Sequence, residues 1–390
     1  MRATVIGGGI GGPVAAIALR KAGFEATVFE RYDRTADGSG GALSIAPNGA
    51  QALEVLGLAD AVRAIGTPMT AMELQSWTGR TLGRFGSEPP QSLVWRADLY
   101  RVLREEAARR GVAIVHGKDL VDAVDHGPHV TARFADGSEV DSEVLVGADG
   151  IRSTERRLVD PDAPGPRYAG LLGFGARLAR TGEPSTGGAM RLVSGKRAFF
   201  GYQVDDDGAG GWFANLPRKQ PLTTAQARAT DPERWLAVLG EAFAADRTPA
   251  VRMVAATDPA DLVVVGALED VPRVPRWSRG RMVLVGDAAH ATSPSSGQGA
   301  SLAFESAVQL ARCLRDLPHD EAFRVYEQMR RGRVERIIAQ AARTNRDKAA
   351  GPVGRVVRDA LLPLAFKFAD PAKFTWQFDH RIEWDDTPAA

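Results

Sequence analysis

Glycines near the amino terminus have the spacing of a nucleotide-binding turn. Gly7, Gly9 and Gly12, with Gly11 inside the pattern, read Gly-x-Gly-x-x-Gly after the apolar run Arg2–Ile6 and at the start of a stretch with helical apolar spacing. Glycine permits the tight turn, close approach of the backbone to a pyrophosphate, and helix–strand contact. The helix then directs the positive end of its dipole at the phosphates. We predict dinucleotide binding, with a plain Gly-rich turn as the alternative.

An acidic residue follows the second predicted strand. Glu30 comes directly after Ala26–Phe29, eighteen residues beyond Gly12. A carboxylate at this position accepts hydrogen bonds from the hydroxyls of an adenosine ribose. Strand, turn, helix and acid together indicate a βαβ unit, but they do not distinguish one adenine dinucleotide from another.

Two further motifs follow predicted buried strands much later in the chain. Residues 147–156 read GADGIRSTER, and residues 286–299 read GDAAHATSPSSGQG. In this order, the three motifs resemble the class A flavoprotein monooxygenases, the family of para-hydroxybenzoate, salicylate and urate hydroxylases. The resemblance extends to about residue 345. It implies FAD as the cofactor and NADH or NADPH as the electron donor, with no separate NAD(P)H domain.

The later motif is expected to contact the flavin half of FAD. Asp287 is a carboxylate at a strand end that can hold a ribityl or ribose hydroxyl, with a helix N-cap as the alternative. The amides of Gly297-Gln298-Gly299 open the next helix and are expected to face the pyrimidine edge of the flavin, where they stabilise negative charge. The family usually has Asn two residues after the last glycine. This chain has Ala300-Ser301 there, which puts the detail of the flavin contact in question.

Other FAD contacts are implied by the resemblance at scattered positions, and for each of them an ordinary surface or core residue is the alternative. Arg96 matches an arginine near the FAD phosphates, and Asp149-Gly150 matches a stretch that serves both FAD and NAD(P)H. The remaining expected contacts are Arg31, Ser44, the backbone at Leu120, Pro294 and Ala300.

Catalysis is expected to follow from flavin chemistry. The resemblance implies that reduced flavin and dioxygen form a C4a-hydroperoxide, which attacks an electron-rich carbon of an aromatic or fused-ring substrate while the protein excludes water. Arg197 resembles an arginine that orients anionic or enolate substrates, with a surface arginine as the alternative. His290 is expected to be structural, with a proton donor as the second interpretation.

Aromatic residues in the middle of the chain are candidates for the walls of a substrate pocket. Alternating aromatic residues are also typical of a core. Gly173 and Gly175 stand where urate-hydroxylase-like relatives have polar residues, which favours a larger apolar ring over urate. The candidate walls are Phe174, Phe199, Tyr202, Trp212 and Phe213.

The motifs require an α/β fold in which a Rossmann-type FAD-binding domain of the GR2-like kind is split around a mainly antiparallel β-sheet substrate domain. We predict FAD-binding parts at residues 1–165 and 275–350, a substrate domain at 166–274, and a C-terminal helical segment at 351–390. Strands near residues 68–95 are expected to join the substrate domain. The predicted late helices are Gln298–Leu314, Ala322–Arg346 and Gly354–Ala369.

Composition restricts the partners. The net charge of +1 over 390 residues gives no field that favours nucleic acid or an anionic membrane, so a small molecule and dioxygen are the expected partners. Cys313 is the only cysteine, which excludes an intramolecular disulfide and a thiolate metal cluster. We expect a cytoplasmic protein without a signal peptide or membrane span. The oligomeric state stays open.

Other functions are compatible with the same fold. An FAD-dependent reductase of the geranylgeranyl-reductase type shares the motifs but makes no hydroperoxide, and a ligand-sequestering resistance protein would bind without turnover. A flavin-dependent halogenase is disfavoured because Trp77 and Trp95 are not part of a Trp-x-Trp-x-Ile-Pro stretch. The substrate, the regiochemistry, and hydroxylation versus Baeyer–Villiger insertion stay open.

Overall fold

A computed structural model gives the structure of residues 1–33, 40–348, 359–363 and 376–388. The strands are, in chain order, β1 Arg2–Ile6, β2 Glu25–Phe29, β3 Ala42–Ile45, β4 Thr67–Ser76, β5 Thr81–Trp95, β6 Ala113–Val115, β7 Leu120–Asp125, β8 Val130–Phe134, β9 Glu139–Ser142, β10 Val144–Gly147, β11 Arg167–Leu178, β12 Ala189–Ser194, β13 Phe199–Val204, β14 Gly210–Pro217, β15 Val263–Asp270, β16 Ser278–Arg279 and β17 Met282–Leu284.

Helices connect and cover these strands. The α-helices are α1 Gly11–Lys21, α2 Pro47–Val55, α3 Ala59–Arg63, α4 Arg96–Arg109, α5 Thr154–Val159, α6 Thr224–Arg228, α7 Pro232–Phe243, α8 Ala250–Ala255, α9 Asp287–His290, α10 Gly299–Asp316 and α11 His319–Lys348. Short 3-10 turns lie at Pro259–Asp261 and Pro294–Ser296. None of the helices in the described ranges is both long and apolar enough to cross a membrane.

A six-stranded sheet in the order β16-β17-β10-β1-β2-β6 forms the first layer. All of its neighbouring pairs are parallel except β16 with β17. The strands β1, β10 and β17 are apolar and almost fully buried, as expected for a parallel sheet covered on both faces. Their carboxyl ends meet at one edge, so the segments that follow Ile6, Gly147 and Leu284 come together there.

An eight-stranded sheet in the order β15-β11-β14-β13-β12-β4-β5-β3 forms the second layer. Its pairs are antiparallel except β12 with β4. It includes β4 and β5, which precede β6 in the chain, so the segment Thr67–Trp95 is hydrogen-bonded to strands from residues 167–270. A third, antiparallel sheet, β7-β8-β9, includes the hairpin that turns at Asp136-Gly137.

The two faces of the eight-stranded sheet have different neighbours because side chains alternate along each strand. Phe200 and Tyr202 of β13 and Trp212 of β14 pack on the face that carries α7 and α8, in a core that includes Trp235 and Phe243. The ring of Phe200 lies 5.6 Å from that of Trp212. The opposite face carries the residues between them in the sequence.

The α/β fold with a split nucleotide-binding sheet is confirmed. Single elements agree within a few residues where apolar periodicity is strong, as in α10, which spans Gly299–Asp316 where Gln298–Leu314 is predicted. The helices α6, α7 and α8 lie within residues 166–274, where the sequence pattern predicts a mainly antiparallel sheet and does not indicate these helices. The predicted helix Gly354–Ala369 and the 351–390 segment lie largely outside the described residues.

The packing of the eight-stranded sheet predicts that Trp212 stabilises the fold. Trp212→Ala removes a buried ring and the hydrogen bond from its indole N–H to Thr257 Oγ1 at 3.0 Å, and we expect a loss of about 3–5 kcal/mol in the free energy of unfolding. Phe213→Ala, on the opposite face of the same strand, is the matched control and should cost less. Urea unfolding at one fixed FAD concentration measures both. Equal losses in the two variants would contradict the assignment of Trp212 to the core.

Candidate active site

A cavity of about 1290 Å³ lies where the carboxyl edge of the parallel sheet meets the open face of the eight-stranded sheet. One end is lined by the first glycine turn and by residues that follow β2, and the other end is lined by aromatic and aliphatic side chains of β4, β5, β13 and β14. The motifs that are furthest apart in the sequence therefore border one continuous space.

The first glycine turn is too tight for side chains. A Cβ on Gly12 would lie 1.8 Å from the Gly7 oxygen, and a Cβ on Gly7, whose φ is +103°, would lie 2.5 Å from the oxygen of Ala148. Gly7, Gly9 and Gly11 line the cavity, whereas Gly12 is buried beneath the turn and does not. The turn presents a bare backbone where α1 begins, which suits the close approach of a phosphate group.

Glu30 fixes the shape of this turn. Its Oε2 accepts a hydrogen bond from Gly8 N at 2.6 Å, and its Oε1 accepts one from Tyr32 N at 3.0 Å. The carboxylate is nearly buried and also borders the cavity, with Arg31 beside it. Glu30 thus braces the glycine turn as well as offering acceptor oxygens to a ligand.

Asp149 borders the cavity directly after β10. Its Oδ2 accepts hydrogen bonds from Thr154 N at 2.7 Å and Glu155 N at 3.1 Å, so it caps the short helix α5. Its Oδ1 is buried and has no hydrogen-bond partner within the described part of the chain. Burial raises the pKa of Asp149, although the hydrogen bonds oppose the shift.

Asp287 borders the cavity directly after Gly286, at the start of α9. Burial raises the pKa of this carboxyl, and the charges of Arg96 and Arg156 partly offset the increase. Arg96 also borders the cavity, whereas Arg156 donates to the backbone oxygens of Ala288 and Ile151 and supports the loop from behind. The two acids and Arg96 give this edge of the cavity a mixed polar lining.

The segment Gly297-Gln298-Gly299 turns into α10, and Pro294 and Ala300 on either side also border the cavity. Ser44 Oγ donates to the Gly297 oxygen at 3.1 Å, and Asn48 Nδ2 donates to Gln298 Oε1 at 3.0 Å. The Nε2 of Gln298 is buried without a hydrogen-bond partner among the residues described. The start of an 18-residue helix therefore points N–H groups at the cavity.

Within α10, Glu305 is at the centre of a buried ion cluster. It contacts Arg330 Nη1, accepts from Arg333 Nη2 at 2.9 Å, and accepts from Asn48 Nδ2 at 2.6 Å. Burial alone would raise the pKa of Glu305, but the two guanidinium groups lower it to about 2. The cluster joins α10 to α11 and, through Asn48, to Gln298.

His290 lies behind the cavity and does not line it. Its Nε2 is 2.8 Å from Ser306 Oγ, and its ring packs 5.5 Å from that of Trp277. Burial, helped by the charge of Arg330, lowers the pKa of His290 to about 3. The geometry supports the structural interpretation and not the proton-donor one.

The substrate-side aromatics divide between the two faces of the sheet. Phe199 and Phe213 lie on the cavity face, and a Cβ on Gly201 would lie 2.2 Å from Phe213 Cε1, so the glycine makes room for the ring. Phe174 and Trp212 also border the cavity, but their rings pack in the core behind the sheet. Tyr202 does not border the cavity and is a core residue.

The structure places Arg197 away from the site. It is exposed in the turn before β13 and does not border the cavity. The structure therefore supports the interpretation of Arg197 as a surface arginine. The predicted cofactor contacts, Leu120 and Gly150 among them, line the cavity with the exception of Gly12.

Three lining residues were missed in the sequence. Lys348, Asn215 and Ser295 meet beside Phe199, where Lys348 Nζ donates to Asn215 Oδ1 and Ser295 Oγ at 2.8 Å each. Lys348 ends a helix rich in charged residues and has the appearance of a surface lysine. Nothing in its local sequence distinguishes it, because its neighbours come from 53 and 133 residues away.

The sequence profile of the FAD binding domain family matches residues 1–341. The chain belongs to this family. It is 35% identical to 3-amino-4-hydroxybenzoate 2-monooxygenase PtmB3 of Streptomyces platensis over 95% of this chain and 94% of the relative. It is 30% identical to the FAD-dependent urate hydroxylase of Klebsiella pneumoniae subsp. pneumoniae over 87% of this chain and 88% of the relative.

A solved structure shows the same fold. The crystal structure of Klebsiella pneumoniae HpxO complexed with FAD and uric acid superposes with a TM-score of 0.85 at 27% identity, covering 97% of this chain and 96% of that one. The chain is a class A flavin monooxygenase with FAD as its cofactor, as the three motifs predicted. The bare glycine turn and the unpartnered buried atoms of Asp149 and Gln298 fit a large polar cofactor.

The position of Glu30 predicts a measurable contribution to FAD affinity. Glu30→Ala removes an acceptor for ribose hydroxyls and loosens the turn at Gly8, so we expect FAD to bind about 1.5–3 kcal/mol more weakly, or roughly 10- to 150-fold. Glu25→Ala, an exposed acid on the same strand β2, is the control. Flavin fluorescence titration of the apoproteins gives both dissociation constants. An unchanged dissociation constant for FAD in Glu30→Ala would show that Glu30 does not contribute to FAD binding.

The buried His290 predicts a pH-dependent stability. Its pKa is about 3 in the folded protein and 6.5 ordinarily, so below pH 6.5 the unfolded chain binds a proton that the folded chain does not. The stability of wild type relative to His290→Gln should therefore fall by about 1 kcal/mol per pH unit between pH 6 and pH 5. Urea unfolding at several pH values measures it, and a constant difference would show that the fold does not lower the pKa of His290.

Proposed function

We propose that this protein uses NADH or NADPH and dioxygen to hydroxylate an aromatic or fused-ring small molecule. The observation that carries the proposal is the continuity of the 1290 Å³ cavity from the glycine turn after β1 to the aromatic face of β13 and β14. A bound cofactor and an organic ring would thus occupy one enclosure. The finer assignments below depend on this arrangement.

We assign the adenosine end and the flavin end of FAD to opposite ends of the edge at which the parallel strands terminate. The turn at Gly7–Gly11 and Glu30 would hold the adenosine and pyrophosphate, with Arg31, Ser44, Arg96 and Leu120 around them. Asp287 and the amides of Gly297-Gln298-Gly299 would hold the ribityl chain and the flavin ring. When bound, reduced FAD would supply the electrons that activate dioxygen, and dioxygen would supply the oxygen atom that is transferred.

The substrate end has the lining expected for an apolar ring. Phe199 and Phe213 lie on the cavity face of β13 and β14, and a group of aliphatic and aromatic side chains from the neighbouring strands β4, β5 and β12 continues this lining. Such walls exclude water, which protects a reactive intermediate from hydrolysis. The second group is Met69, Met72, Leu74, Leu82, Phe85, Leu93, Met190 and Leu192.

The names of the relatives restrict the substrate class. PtmB3 is named for 3-amino-4-hydroxybenzoate, and the Klebsiella enzyme is named for urate. Both compounds are small rings that carry ionisable oxygen substituents. We therefore favour a ring with a hydroxyl or carboxyl group, and we weigh this above the larger, purely apolar ring that Gly173 and Gly175 suggested.

We also propose that different segments of the chain bind FAD and the substrate. Residues 1–165 and 275–350 would bind FAD, and residues 166–274 would bind the substrate, with the strands of Thr67–Trp95 contributing to the substrate wall.

Cys313 is buried in α10 and fits a reducing compartment such as the cytoplasm.

The source of the product oxygen tests this function. With NAD(P)H, ¹⁸O₂ and a panel of hydroxylated benzoates that includes 3-amino-4-hydroxybenzoate, mass spectrometry should find one labelled oxygen atom in the product and none from the solvent at that position. Product formation at full rate without oxygen would overturn the proposal in favour of a reductase of the geranylgeranyl-reductase type.

A second measurement checks the coupling between ring binding and flavin reduction. Analogues that fill the cavity but lack a reactive carbon should accelerate NAD(P)H oxidation and yield hydrogen peroxide in place of product. If no ring compound changes the rate of NAD(P)H oxidation, the cavity is not a substrate site.

A further inference from the structure

Lys348 lies at the boundary between the cofactor part and the substrate part of the cavity. Its Nζ lies 4.2 Å from the centroid of the Phe199 ring and 5.9 Å from that of Phe213. It donates to Asn215 Oδ1 on β14 and to Ser295 Oγ in the turn that precedes Gly297. One amine therefore contacts the substrate wall and the proposed flavin-binding segment.

This amine has only neutral hydrogen-bond partners within the described residues, where no carboxylate lies within ion-pair distance. Two of the other cations that border the cavity are ion-paired, Arg152 with Glu269 at 2.7 Å and Arg177 with Asp98 at 3.8 Å. A buried ammonium without a counter-ion is costly, and burial lowers the pKa of Lys348 to about 7. A ligand that brings negative charge to this place would supply the missing counter-ion.

We propose that Lys348, with Asn215 and Ser295, binds an anionic oxygen substituent of the aromatic substrate and so fixes the ring against Phe199 and Phe213. The inference deepens the proposed function and rests on it. An ammonium has three N–H donors, and Asn215 and Ser295 take two of them, so a substrate oxygen can take the third.

The position suits the reaction as well as binding. An oxygen held at Lys348 Nζ would place the attached ring between the phenyl groups of the wall and the turn at Pro294–Ser296. If the substituent is a hydroxyl, pairing with the ammonium favours its ionised form, which makes the ring more electron-rich. Lys348 is then a residue that selects ionisable rings over neutral rings of the same size.

Four probe compounds separate this role from a structural one. They are 4-hydroxybenzoate, methyl 4-hydroxybenzoate, 4-methoxybenzoate and the doubly blocked methyl 4-methoxybenzoate. Binding to the FAD-loaded protein is followed by the perturbation of the flavin absorbance spectrum. We expect wild type to prefer 4-hydroxybenzoate over the doubly blocked compound by roughly 10- to 100-fold, the range of a hydrogen bond to a charged group. The singly blocked compounds show whether the hydroxyl or the carboxylate is recognised.

In Lys348→Met this preference should disappear, while the affinity for the doubly blocked compound and for FAD stays within about twofold. Lys348→Gln, which keeps polar contacts with Asn215 and Ser295, should lose the preference too and serves if the Met variant does not fold. Lys196→Met is the matched control, because Lys196 also lies over an aromatic ring, that of Trp77 at 3.9 Å, but does not border the cavity.

Three results would overturn the inference. They are equal weakening of all four compounds in Lys348→Met, an unchanged preference in that variant, and a wild-type protein that binds none of the compounds or does not discriminate among them. These outcomes are independent of the ¹⁸O₂ experiment. Labelled product without a Lys348-dependent preference rejects this inference alone, whereas a Lys348-dependent preference without labelled product rejects the monooxygenase function.

Discussion

Three neighbouring parallel strands end at the same edge of a sheet, and the rest of the site depends on that constraint. In the sheet order, β17, β10 and β1 are adjacent, so the motifs that begin at Gly7, Gly147 and Gly286 come within one cofactor length of each other although 279 residues separate the first from the last. Ligands of open α/β sheets bind beyond the carboxyl ends of the strands. The acids Asp149 and Asp287, which line the cavity, are held at that edge by strand pairing.

The second sheet provides what a nucleotide-binding sheet lacks, a broad apolar wall. One face of β13 and β14 is covered by α7 and α8, which stabilises the sheet, so the other face is available to line the cavity. Because side chains alternate along a strand, successive residues either pack in the core and stabilise the fold or face the cavity. Trp212 contributes to the core and Phe213, its neighbour in sequence, to the wall of the cavity.

Local patterns are sufficient to predict the parallel sheet and the residues that line the cavity at its carboxyl edge, because glycine turns and strand-end acids occur in short segments such as residues 7–12 and 286–299. The sheet face on which a side chain lies cannot be predicted from a short segment. Phe199 and Tyr202 are both aromatic residues of β13, and they differ in whether they lie on the face that α7 covers. Arg197 was chosen by resemblance and lies in an exposed turn. Lys348 went unnoticed because its environment is assembled from β14 and from the turn after α9, far away in the chain.

The helix α11 connects the buried ion cluster around Glu305 to the cavity. Arg330 and Lys348 are 18 positions apart on this 30-residue helix, which is about five full turns, so both side chains project from the same side. The ion cluster therefore sets the rotational phase of the helix, and with it the direction in which the distant amine points. A single-residue insertion or deletion between the two would rotate Lys348 by about 100° and move its amine by roughly 1.5 Å along the axis. The length of this segment is thus as strict a requirement of the site as the identity of the lysine.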